Sequence, residues 1–193
     1  INEWDNGLEG NYWSNYTGTD SDLNGLGDIP YVIDENNQDN HPLMGSFSDF
    51  NATSEYHVQT ICNSSISDFQ FNGTVICFNV TGKDGTIGLC RICVPTALIN
   101  GTYKVFVNGT EVSYRPLPCS NSTHSYLYFT YSHSTQEVTI IPEFLTWTSM
   151  LLVLVVVTFA IVVYCSLQTW SGSRGLRAII KRLADGTWAK EQN

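Results

Sequence analysis

Asp20, Asp22 and Asn24 stand at alternate positions in the stretch DSDLNGLGD, with Gly25 next and Asp28 closing it. Side-chain oxygens at positions 1, 3 and 5 open a calcium loop. A glycine at 6, a backbone carbonyl at 7 and a water-linked ligand at 9 continue it. Hard, closely spaced oxygen donors suit Ca²⁺ far better than zinc or copper. The pattern therefore leads us to expect a structural calcium ion at Asp20, Asp22, Asn24, Leu26 and Asp28. Position 12 departs from it: Tyr31 stands where a bidentate Glu belongs, so Asp34 or a backbone carbonyl would have to complete the shell. The alternative is a tight loop shaped by Asx-turns and glycines, without an ion.

Cysteines offer a second chemistry. Cys62, Cys77, Cys90, Cys93 and Cys119 precede a long apolar stretch, and Cys165 lies near its far end. Outside a cell, such spacing leads to disulfides. Cys90 and Cys93 are three apart, so a regular strand points them to opposite faces and to different partners. Cys62–Cys77 and Cys93–Cys119 are candidate pairs, and five is odd, which leaves one thiol over. The single CxxC lacks the second ligand pair of a zinc site and the βαβ surroundings of a redox motif. His41, His57, His124 and His133 are scattered, and no Ser/His/Asp elbow, P-loop or dinucleotide fingerprint occurs.

Glycosylation acceptors of the form N-x-[ST] occur at Asn15, Asn51, Asn63, Asn72, Asn79, Asn100, Asn108 and Asn121. Chance gives about three in so Asn- and Ser/Thr-rich a sequence, so eight point to a sugar-coated exterior. Residues 1–145 carry four Lys/Arg against sixteen Asp/Glu, giving −12 of the total −9, and residues after 167 carry five against two, giving +3. The acidic part excludes nucleic acid as a partner, because phosphate binding needs basic side chains to release counterions.

Residues 145–167 hold no charge. As a helix of 23 residues they would rise roughly 34 Å, enough for the ~30 Å bilayer core. Trp147 and Trp170 lie near the two ends of this stretch, and Arg174, Arg177, Lys181 and Arg182 follow. The expectation is a single-pass cell-membrane protein with the lipid bilayer as partner. Its N-terminal part would be extracellular and its tail, 168–193, cytoplasmic. Leu176, Ile179, Ile180 and Leu183 give that tail either a basic amphipathic face or a plain stop-transfer role.

Upstream, the chain reads as β. KVFVNGTEV folds alternating apolar residues around Asn-Gly, the strongest short hairpin signal, and Asn72-Gly73 repeats the device. About seven strands in residues 55–141 suggest an antiparallel, immunoglobulin-like β-sandwich. Residues 1–47 have no helical period, and 48–54 (SDFNATS) read as a linker.

NEWDNGLEGNYWSNYTG and DLNGLGDIPYVIDENNQDNHPLM closely resemble the closing segment of NosD-like right-handed parallel β-helix proteins of archaeal surfaces. The resemblance implies that residues 1–47 cap a coil stack held in a preceding part of a longer protein; Ile1 at the start of the chain fits that reading. Trp4, Tyr12, Trp13, Tyr16 and Tyr31 would then plug the stack or stack on sugar rings. Pro142, Glu143 and Phe144, just before the apolar stretch, resemble the PEF-CTERM sorting signal, with a longer tail than usual. The whole is expected to be mainly β: a β-helix end cap, a sandwich, then one transmembrane helix. The expected role is non-catalytic, a structural or binding module for surface polysaccharide or other surface proteins. The competing role is the end of a polysaccharide lyase or hydrolase whose active site lies upstream.

Overall fold

In a computed structural model, residues 3–143, 153–164, 180–182 and 184 are described. Residues 1–143 and 144–193 form two separate units. The first contains all the strands among the described residues: β1 (Tyr31–Asp34), β2 (Asn37–Asp39), β3 (Ser46–Asn51), β4 (His57–Cys62), β5 (Ser65–Phe71) and β6 (Ile76–Thr81). After these come β7 (Ile87–Pro95), β8 (Tyr103–Val107), β9 (Thr110–Val112), β10 (Tyr114–Pro116), β11 (His124–Ser132) and β12 (Thr135–Pro142).

Ten of these strands make two five-stranded sheets, ordered β10-β11-β7-β4-β3 and β5-β6-β12-β8-β9, with β1 and β2 forming a hairpin of their own. Every ladder is antiparallel. The period-2 alternation of side chains creates the core. Ile76, Phe78 and Val80 point inward from β6, Val105 and Val107 from β8, and Val138 and Ile140 from β12. They meet Val58 of β4, Ile92 and Val94 of β7, and Leu127 and Phe129 of β11. Each such side chain, fully removed from water, contributes about 1.5–3 kcal/mol.

The Asn108-Gly109 hairpin forms as the sequence suggests. Val107 pairs with Thr110, and both turn residues have positive φ, 48° and 73°. Asn72-Gly73 instead opens a longer loop in which the Asn72 side chain accepts from the backbone of Thr74 and Val75. The sheet edges differ in quality: β9 and β10 have three residues each, and β5 is bulged between Ser67 and Gln70 with Asp68 at φ 53°. The fourth edge, β3, is six residues long and regular.

Three expectations are corrected. The β-helix end cap is absent from the described residues: the sheets are antiparallel, and the parallel pairing consists of one isolated bridge, Tyr12 to Leu43. The linker at 48–54 is for the most part strand β3, paired from Asn51 to Ser46 along β4, because Phe50 and Phe69 stack at 4.6 Å and hold it down. The transmembrane helix and the single-pass membrane localisation are not supported: among the described residues no helix is long and apolar enough to cross a membrane. Of residues 145–167, those described, 153–164, are helical with exposed side chains, and the others lie outside the described residues. Most of the expected basic tail lies outside them too; residues 180–182 and 184 are helical. Pro142 ends β12 opposite Tyr103 and the Glu143 N–H donates to the Thr102 carbonyl, while Phe144 is not described.

Candidate functional site

Residues 3–45 carry little regular structure and are organised by buried or well-held carboxylates. Asp39, at the end of β2, is 0 % exposed. One of its oxygens accepts from the Asn11 N–H (2.6 Å) and the Trp13 Nε1–H (2.8 Å), and the other from the His41 N–H (3.0 Å). This side chain fills the space where a Cβ on Gly10 would lie, 1.9 Å from Asp39 Oδ1, so residue 10 must be glycine. Around this hub Trp13 stacks on Tyr31 at 4.4 Å, with Trp4 tilted against Trp13 and Tyr16 edge-on to Tyr31. Tyr12 is exposed.

Beside Trp4 opens a groove of about 440 Å³ lined by Glu3, Asp5, Asn6, Gly7, Asn36, Gln38 and Asn40. Asp5 accepts from the Asn40 N–H, the Asn40 Nδ2–H and the Gly7 N–H, each at 2.9 Å. These donors, the Asn40 backbone first, hold its carboxyl down at about 2. Gln38 Nε2–H donates to Asn40 Oδ1 at 2.7 Å, extending the chain of amides and carboxylate. The result is a fixed row of donors and acceptors next to an indole.

The segment is fastened to the outer face of the β7–β11 sheet. Arg91 of β7, only 7 % exposed in its side chain, donates to Glu9 at 2.5 Å and lies 5.2 Å from the Tyr126 ring centroid. The positive-φ backbone of Gly25 rests on the Arg91 stem. Arg115 donates to the Asp22 carbonyl. Leu89, Leu117 and Tyr128 form a small apolar cluster there with Met44 and Tyr126.

The Asp-rich loop lies over this face. Both oxygens of Asp20 accept backbone N–H bonds at 2.9 Å, from Asn24 and Gly25, and the Tyr128 hydroxyl lies close to the same carboxylate. Burial, ahead of the neighbouring Asp22 charge, pushes the Asp20 carboxyl up, and burial together with Asp20 raises Tyr128. Asn24 Oδ1 accepts from the Leu26 N–H, Asn24 Nδ2 donates to Asp22, and Asp28 accepts from the Ser21 N–H at 2.7 Å. The loop's oxygens are thus used to shape the loop. Among the described residues no group of three or more His, Cys, Asp or Glu is arranged to hold a metal ion.

The cysteines separate by face. Cys62 and Cys90 point into the core, Cys93 and Arg91 to the outer face, and Cys119 is exposed. Cys77 faces outward from the opposite sheet, 3.8 Å from Thr139 Oγ1, so the fold does not bring Cys62 and Cys77 together. All five carry free thiols, and Cys165 lies outside the described residues. Seven of the eight sequon asparagines are exposed; Asn79 is half-buried and donates to Asp68 at 2.9 Å.

Sequence reasoning did not single out Asp39, Arg91 or Tyr128. No motif marks them, although a lone Arg between two cysteines in an apolar strand, LCRIC, was a signal that something acidic must meet it. No protein-family model matches this chain, and neither a curated protein nor a solved structure matches it.

Proposed function

We propose that residues 3–143 form a non-catalytic carbohydrate-binding module, with the Trp4 groove as its ligand face. The observation that carries this reading is the groove's chemistry. An indole beside a pre-set row of carboxylate and amide groups (Asp5, Asn6, Gln38, Asn40) suits sugar rings and their hydroxyls. The acidic surface disfavours polyanions, so neutral polysaccharides of a cell surface are the substrate class.

A hydrolase or lyase reading fits the groove less well. Acid catalysis needs a carboxyl whose pKa is raised. Asp5 is held at about 2 and serves as an acceptor. Affinity electrophoresis of the full chain in gels containing neutral polysaccharides tests the proposal. Retardation without depolymerisation is expected, and Trp4→Ala should weaken it at least about tenfold, ~1.4 kcal/mol. Chain cleavage would move the assignment to the enzyme, and equal retardation of the variant would remove the groove from it.

A further inference from the structure

Two thiols face each other inside the sandwich. Cys62 on β4 is the direct register partner of Cys90 on β7, and the two are 1 % and 0 % exposed. The next pair along, Asn63 and Leu89, is joined by the Asn63 N–H donating to the Leu89 carbonyl. Antiparallel ladders alternate, so Cys62 and Cys90 occupy a non-hydrogen-bonded position. There Cα atoms approach to about 4.5 Å and side chains on one face converge. That spacing lies at the near end of the ~4.4–6.8 Å that a disulfide spans.

The other cysteines are placed elsewhere. Cys77 belongs to the opposite sheet and faces outward, and Cys93 points away from the core. From this register and facing, we infer that Cys62 and Cys90 are joined by a cross-strand disulfide in the oxidised protein, a modification site closing the chain from residue 62 to residue 90.

The surroundings assign the roles of the two sulfurs. Cys62 Sγ lies 3.3 Å from the Tyr131 hydroxyl and accepts from the Ser64 N–H at 3.4 Å. Ser64 Oγ in turn bridges Tyr131 and His133 Nε2, each at 2.7 Å. The adjoining Cys90 thiol, followed by these donors, holds Cys62 below the ordinary thiol value, whereas Cys62 and burial push Cys90 well above it. Cys62 is the nucleophile. Its thiolate attacks a disulfide of a thiol–disulfide oxidant, such as glutathione disulfide, forming a mixed disulfide and releasing one thiol. Cys90, losing its proton, displaces the second thiol and forms the Cys62–Cys90 bond. Two electrons and two protons pass from the cysteines to the oxidant's two sulfurs. Both sulfurs are sealed in the finished core, so the exchange takes place once β4, β7 and β11 have paired, which sets Tyr131 and Ser64 around Cys62, and before the second sheet covers them.

The test uses the full chain refolded in a glutathione redox buffer, alkylated under denaturing conditions and digested without reduction. Trypsin separates Cys90 in residues 84–91 from Cys62 and Cys77, which share an earlier peptide, and chymotryptic cleavage after Phe69 or Phe71 separates the latter two. The expected product is a Cys62-to-Cys90 linked peptide that reductant splits, unchanged by Cys77→Ala. Reductant should lower the unfolding midpoint of the wild type by about 10 °C and leave the Cys62→Ala/Cys90→Ala variant unmoved. Alkylation of both Cys62 and Cys90 in the oxidised sample would overturn the inference. So would linkage of either to another cysteine, or a reductant effect that persists in the double variant.

Discussion

The sandwich and the segment before it are built by opposite means. From Ser46 to Pro142 the chain hides apolar side chains between two ladders, and its shape is the sum of many small dispersion and hydration terms. Residues 3–45 have few buried apolar side chains, Leu43 among them, and take their shape from carboxylates that collect backbone N–H groups: Asp39, Asp5, Asp20 and Asp28. Apolar packing tolerates approximate fits, whereas a carboxylate hub fails when a single acceptor is removed. The difference shows where this protein is robust and where it is brittle.

Truncating the sandwich core should cost most. Phe129, 1 % exposed, converted to Ala should lose about 3–5 kcal/mol, seen as a fall in the denaturant midpoint for the whole 3–143 unit. Asp39→Ala should cost about 3 kcal/mol by stranding the Asn11 N–H, His41 N–H and Trp13 Nε1–H. Hydrogen exchange should locate this loss in residues 3–45 and leave β6, β8 and β12 protected. Equal loosening of both regions would erase the contrast.

Glu9→Ala addresses the joint between them. It leaves the buried Arg91 without its 2.5 Å acceptor and should cost about 2 kcal/mol, recovered in large part by Arg91→Met in the same chain. The smallest effect concerns acid. Asp5 has a folded pKa near 2, below its ordinary 3.8. Its contribution is complete above pH 3.8 and disappears as pH falls through about 2. Indole fluorescence should therefore show a low-pH change in the Trp4 region that Asp5→Asn abolishes.

How far the sequence could be read follows the same division. Val105, Val107 and the Asn108-Gly109 turn are local signals: apolar alternation and a dipeptide that accepts positive φ suffice to place a hairpin. The Asp20–Asp28 spacing is not decisive in that way. Alternate oxygens wrap a cation, and they equally well wrap their own backbone, as Asp20 does with Asn24 and Gly25. Asp39 meeting Asn11 and Arg91 meeting Glu9 are contacts across 28 and 82 residues, and no period or motif announces such a meeting. The candidate groove was half visible. Trp4 stands out in the sequence as an aromatic, but Asp5, Gln38 and Asn40 become its companions only when β1 and β2 fold back.

Strand β3 has a consequence for self-assembly. Three of the four sheet margins are poor templates for an incoming chain, two by brevity and one by its kink. The six regularly paired residues from Ser46 to Asn51 therefore concentrate the polymerisation hazard at one place. Asn51 closes that stretch within a sugar-acceptor triplet, so a glycan there would act as a bulky gatekeeper against strand-to-strand stacking of neighbouring copies.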